Sequence, residues 1–157
     1  MTILLTNANV TLFEKGETAG NNIYGDRVNG ALQYFDTRMV FPIIIACSDE
    51  SSSLSVGAAK VTFRMPFAFT VTAVRASVNT APTGSTIIVD INESGSSILS
   101  TKLSIDAGEL TSTTAASAAV ISDASLADDA EITIDIDQVG SSVAGKGLKV
   151  TLLGRRT

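Results

Sequence analysis

The sequence predicts an all-β protein: a two-sheet, jelly-roll-like sandwich of about eight strands that carries an extended N-terminal arm. Three observations lead there. Val, Ile, Thr, Ser, Ala and Gly dominate the 157 residues and Trp is absent; branched side chains suit a pleated, half-buried surface, while Ser, Gly, Asn and Asp supply turns. Apolar and polar residues alternate with period two in segment after segment beyond residue 43. No long stretch shows the spacing of an amphipathic helix. About eight such segments at short intervals favour a sandwich or barrel, and eight is the strand number of a jelly roll.

Taken in order, residues 1–46 are assigned to the arm and residues 47–157 to the sandwich. The first 42 residues alternate poorly and hold Gly16, Gly20, Gly25 and Gly30 with Asn21, Asn22 and Asn29 between them. That is loop chemistry interrupted by apolar anchors: Phe13, Tyr24, Leu32, Tyr34, Phe35 and Phe41 are the candidate partner-binding residues. Leu32, Phe35 and Met39 are spaced for a short helical turn. The opening MTILLTNANVTLFEKGE has no cationic leader and breaks after a few apolar residues, so no signal peptide is expected. No apolar run approaches the ~18 residues of a membrane helix.

PIIIACSDESSS runs a short apolar strand into a polar loop. In AAKVTFRM, Val61, Phe63 and Met65 face one way and Lys60, Thr62 and Arg64 the other. In FAFTVTAVRASV the apolar parity changes between Val71 and Val74, which a β-bulge around Thr72 and Ala73 would accommodate. TIIVDINESGSSILSTKLSIDAGE reads as a hairpin. Ile87, Val89 and Ile91 point in, Asp90 and Asn92 out, Ser94-Gly95-Ser96 turn, and Leu99, Leu103 and Ile105 return on the inner face. Ile88 and Ile98 fall on the outer parity, leaving that face less polar than a solvated one. A short strand is expected near Ala118–Ile121, and ASLADDAE as a turn or a helical turn. EITIDID places Ile132, Ile134 and Ile136 inward, QVGSSVAGKG turns, and LKVTLL ends with Leu148, Val150 and Leu152 inward.

Two segments echo each other: VDINESGSSI at 89–98 and IDIDQVGSSV at 134–143. A calcium loop would want carboxylate or amide ligands at positions one, three and five, Gly at six and a closing Glu at twelve. Asp90, Asn92, Ser94 and Gly95 match the opening, but Thr101 stands at twelve. In the second copy Val139 and Lys146 occupy positions five and twelve. No metal site is expected. Asp135 and Asp137, about 7 Å apart along one strand face, could in principle form a glycosidase pair, but the β-rich part has no Trp or Tyr to stack a sugar. The echo reads instead as two similar hairpins with soluble outer faces.

The chain has no His, so a Ser-His-Asp or Cys-His arrangement is impossible. GSSVAGKGLK superficially suggests a phosphate loop, yet its Gly-Lys is followed by Gly and then by a strand. Cys47 is the only cysteine and follows an apolar run, so a buried, inert thiol is expected. The net charge of −5 with scattered Lys and Arg argues against nucleic-acid binding. The expectation is a non-enzyme without cofactor or metal.

KVTFRMPFAFTVTAVRASV, then STIIVDINESGSSILSTKLSIDAGE, then SLADDAEITIDIDQVGSSVAGKGLKVTLLG resembles a domain recurrent in virion proteins of tailed bacteriophages, including cyanophages. The resemblance covers residues 58–154 and lies in the run of motifs together. It implies a virion structural role, a jelly-roll-type sandwich and a homotrimer, in a particle assembled in the cytoplasm of the host bacterium. Residues 1–46 fall outside it. Two functions are then expected in order: a capsid cement or decoration protein bound to the major capsid protein or other virion proteins, or a tail fibre, baseplate or adaptor part with a host-surface-binding sandwich. Neither involves nucleic acid or membrane.

Overall fold

The computed structural model describes residues 3–5, 10–12, 30–32 and 39–157. The chain divides into two units, Met1–Met39 and Val40–Thr157. In the first, β1 (Ile3–Leu5) and β2 (Val10–Leu12) pair antiparallel, with Ile3 opposite Leu12. Residues 30–32 are helical, at the start of the helical turn expected around Leu32.

The second unit is a sandwich of antiparallel strands. They are β3 (Phe41–Ala46), β4 (Gly57–Arg64), β5 (Phe69–Ser77), β6 (Ile87–Glu93), β7 (Ser96–Ser97), β8 (Leu99–Thr101), β9 (Leu103–Ile105), β10 (Val120–Ile121), β11 (Ser125–Leu126), β12 (Glu131–Gln138) and β13 (Lys149–Arg156). One sheet has the order β11-β5-β13-β3; the other has β4-β12-β6, with β7 and β9 both along the free side of β6. Counting β7–β9 as one broken strand and β10–β11 as another leaves eight strand positions, ordered 1-8-3-6 and 2-7-4-5. Successive positions switch sheets at every step except four to five, which is the connectivity of a jelly roll.

The alternation does the sorting. Ile132, Ile134 and Ile136 of β12, Ile87, Val89 and Ile91 of β6, and Val150 and Leu152 of β13 are all buried, with Phe69, Val71 and Ala76 of β5 beside them in one core. Each large apolar side chain so buried contributes about 1.5–3 kcal/mol.

Three departures from the sequence expectation have physical causes. First, the sandwich begins at Val40, earlier than residue 47: Phe41–Ala46 pairs along its whole length with β13, from Phe41 opposite Gly154 to Ala46 opposite Lys149. The sequence shows a short apolar strand there, and only its pairing with β13 makes that strand part of the sandwich. Second, the return from Gly95 is not one continuous strand. Ile98 N–H donates to the Ile91 carbonyl (2.9 Å), and β9 pairs with Ile87–Val89. Between them the chain arches away, and β8 pairs with β10 instead. The arch resets the parity, so Ile98 is buried in the core and not on the outer face. Third, the two Gly-Ser-Ser segments are not alike. Ser94 and Gly95, with φ of 49° and 85°, form a two-residue hairpin between Glu93 and Ser96, the backbone a tight antiparallel turn requires. Gly140-Ser141-Ser142 belongs to the crossing from β12 to β13 in the opposite sheet. There Ser142 N–H donates to the Thr83 carbonyl (3.0 Å). The run ASLADDAE likewise supplies β11 and a turn.

The bulge in β5 lies where the parity change put it. Leu153 is opposite Ala73 but Gly154 is opposite Val71, which leaves Thr72 unmatched. The Thr72 hydroxyl donates to the Leu153 carbonyl (3.1 Å). Beside the bulge, Gly154 is buried, and a Cβ there would meet the Thr70 carbonyl and the ring of Phe69. Phe69 has no exposed surface and cannot retreat. Gly154→Ala is expected to cost about 2 kcal/mol through overpacking, measured as a lowered urea midpoint at unchanged slope.

Candidate functional site: the paired acidic strands

The two echoed segments are neighbours in space. They form β6 and β12 at the centre of the second sheet, and Asp90 is directly opposite Asp135, with Ile91 opposite Ile134 and Asn92 opposite Thr133. Like charges directly opposed across strands are unfavourable. The structure surrounds them with donors. Asp135 Oδ1 accepts the Ala59 N–H (2.6 Å), and Oδ2 accepts from Asn92 Nδ2 (3.0 Å), which also donates to Thr133 Oγ1 (3.3 Å). Asp90 Oδ1 accepts from the Ser97 hydroxyl (2.6 Å) and the Ile91 N–H (2.9 Å). Lys102 Nζ bridges Asp90 Oδ2 (2.9 Å) and Asp137 Oδ2 (2.6 Å).

Backbone irregularities position these groups. In β4, residues 58–60 oppose Asp135 alone, since Ile134 pairs with Val61 and Ile136 with Gly57. Ala59, at φ 49°, turns its N–H onto the carboxylate. In β12, Ile136 pairs with Val89 and Gln138 with Ile88, so Asp137 is the extra residue. The arch through Leu99–Thr101 stands opposite Asp90 and delivers Ser97 and Lys102 to it from either side. Asp90 is therefore only 4% exposed and Asn92 only 8%. The sequence placed both on the outer face, where they are, but open to solvent, which they are not; alternation gives a side and not what covers it.

The hydrogen bonds to Asp137 and then to Asp90 hold the Lys102 ammonium above the ordinary lysine range. Each carboxylate of the trio is tied to a donor on another segment, so the cluster braces the arch and the β4 bulge against one sheet face. Among the described residues, no group of three or more Asp, Glu, Cys or His is placed to hold a metal ion. Thr101, which stands where a calcium loop would close, lies in β8.

Nearby, Asp49 organises the loop after β3. Its Oδ1 accepts from the N–H groups of Ser52 (2.6 Å) and Ser51 (2.7 Å) and from the Ser51 hydroxyl (2.8 Å). These bonds, that from Ser52 N–H foremost, hold its carboxyl well below the usual range. Cys47 is buried beside this loop, and burial pushes its thiol up to about 11, against a smaller opposing effect from the Val150 backbone. A cleft of about 550 Å³ opens where the chain from Ser112 to Ile121 leaves the edge of β5; Thr72, Val74, Arg75, Leu103 and Ile121 help to line it.

Of the candidate partner-binding residues, Phe13, Tyr24, Tyr34 and Phe35 lie outside the described residues. Leu32 is exposed on the helical segment. Phe41 is no arm residue: it sits in β3 and packs half-buried against the sandwich core. Sequence reasoning missed the role of Lys102, Ser97 and Ala59, because the arch and bulge that present them leave no periodic signal. No helix among the described residues is long and apolar enough to cross a membrane. No protein-family model matches this chain, and no curated protein matches it significantly.

Lys102→Met leaves a buried carboxylate unpaired. Because Lys102 is itself 43% exposed, the expected loss is about 2 kcal/mol, less than for a fully buried pair. Lys102→Met combined with Asp90→Asn should lose less than the two singles together, by urea unfolding. The raised lysine pKa means that this contribution is complete below the ordinary value of 10.5 and is lost as pH rises through the folded-state value. The gap between wild type and Lys102→Met should thus stay level from about pH 6 to 9 and narrow only in stronger alkali. Cys47 should resist a thiol-reactive probe at about pH 8 in the folded protein and react on unfolding in urea.

Proposed function

We propose that this chain is a structural protein of a tailed-phage virion, a cement or decoration subunit that binds the major capsid protein and stabilises the head. The observation that carries the reading is the resemblance of residues 58–154 to the recurrent virion domain. Supporting it, the described part has the strand connectivity of the jelly roll that the resemblance implies. Its most concentrated set of carboxylates, moreover, is engaged in bracing the sheet. A shell part needs a rigid body and a surface for its neighbours, and the polar network and knitted loops supply rigidity. Hydrogen bonds from Leu54 N–H to Gly145, from Asn79 N–H to Lys146 and from Gly108 N–H to Pro82 tie four loops together at one end of the sandwich. The acidic net charge fits contact with protein more than with nucleic acid. On this reading the chain resides in the virion as a homotrimer.

Separation of purified particles into heads and tails, followed by quantitative mass spectrometry, tests the proposal. The expected result is this chain in heads, at a constant ratio to the major capsid protein. Recovery in tails alone would reject the cement role and leave the tail-fibre or adaptor role in its place.

A further inference from the structure

We propose that two copies of this chain associate through their β3 strands, paired antiparallel about Ile44 across a two-fold axis to make one continuous sheet. Sheet edges invite pairing, and proteins usually guard them with short strands, bulges, charges or Pro. Three of the four edges here are guarded. β4 carries Lys60, Arg64 and the bulge at residues 58–60. β11 has two residues. β7 and β9 are short, and the Ser104 hydroxyl of β9 donates to the Ser117 carbonyl (3.2 Å).

β3 carries one such guard, Pro42 near its start, and none of the others. It has six residues, FPIIIA, with no charge and an unbroken register against β13. Among the described residues no strand lies on its other side. Ile44 is 65% exposed in the middle of it.

The direction of its backbone groups follows from one bond. Cys47 N–H donates to the Leu148 carbonyl (2.8 Å), so residues 45, 43 and 41 also address β13 and residues 46, 44 and 42 address the open edge. Antiparallel pairing centred on Ile44 then exchanges two hydrogen bonds between the Ile44 residues of the two copies. Each Ala46 N–H adds one to the opposite Pro42 carbonyl; Pro42 has no N–H to return, so the Ala46 carbonyls at the two ends of the junction stay open to water. Pro42, Ile44 and Ala46 share the outer face with their counterparts, so the junction is apolar.

Charge selects a second copy in this orientation. Arg155 and Arg156 lie exposed beside the Phe41 end, while Asp49 and Glu50 lie exposed just past the Ala46 end. Lys149 offsets Glu50, leaving Asp49 as the net charge there. Antiparallel pairing brings the cationic end of each copy to the anionic end of the other, and this complementarity is absent from the parallel arrangement.

Analytical ultracentrifugation of the full chain over a concentration series tests the proposal. Wild type should show a species of doubled mass, dimer over monomer or hexamer over trimer. Ile44→Lys and Ile44→Asp should each weaken this doubling at least about tenfold, by placing like charges opposite each other, with the circular dichroism spectrum unchanged. An equimolar mixture of the two variants should restore it. The proposal is overturned by no doubling in wild type, by doubling that neither variant affects, or by variants that lose it without rescue on mixing. Protection of the Ile44 and Ala46 amides from hydrogen exchange in a wild-type chain that does not double would assign the edge to another occupant, and so would overturn it too. None of these outcomes depends on whether the chain resides in heads or tails.

Discussion

β12 and β13 occupy interior places in the two sheets, and the remaining strands are arranged around the burial of their inward side chains. Ile132, Ile134 and Ile136 on one, and Val150 and Leu152 on the other, leave almost no surface to water. A strand buried in this way needs a neighbour on both sides for its backbone groups and an opposing sheet for its apolar face. β4 and β6 meet the first demand for β12, β3 and β5 for β13. The jelly-roll connectivity satisfies both at once, because most successive segments cross between the sheets.

This central position creates the electrostatic problem next to it. With β6 and β12 locked in register by their inner isoleucines, Asp90 and Asp135 have to stand side by side on the outer face. The accommodation is local: Lys102 comes from the arch, Asn92 from β6 itself, and the Ala59 N–H from a bulge in β4. Burial of Asp90 makes the cation more than decoration, since an ionised carboxylate out of water is costly unless paired and hydrogen-bonded. The irregular features of this sheet thus serve its most regular pair of strands. On the opposite sheet, the bulge at Thr72 and the bare Gly154 make room for Phe69 in a comparable way.

Much of the sandwich could be read from alternation alone. The inward sets in β6, β9, β12 and β13 are those the period of two assigns, and the parity change in FAFTVTAV placed a bulge around Thr72 and Ala73, of which Thr72 is the unmatched residue. The failures are as specific. Ile98 looked outward because parity was counted through an arch that resets it. PIIIA reads as a short strand yet falls to the arm, because nothing in the sequence names its partner. The carboxylate cluster was half legible: that Asp90 and Asp135 resemble each other is plain in the sequence, but that they touch the same network is not.

By itself, then, the sequence determined the fold class, the inward residues of most strands, the first hairpin turn and the buried character of Cys47, because these depend on near neighbours along the chain. Only the tertiary structure decided the strand order, the membership of β3 in the sandwich, the burial of Asp90 and the pairing of the two acidic segments. Each of those is set by contact between residues far apart in sequence, such as Ala59 with Asp135 or Ile45 with Val150, and period-two patterning is the same whichever strand lies alongside.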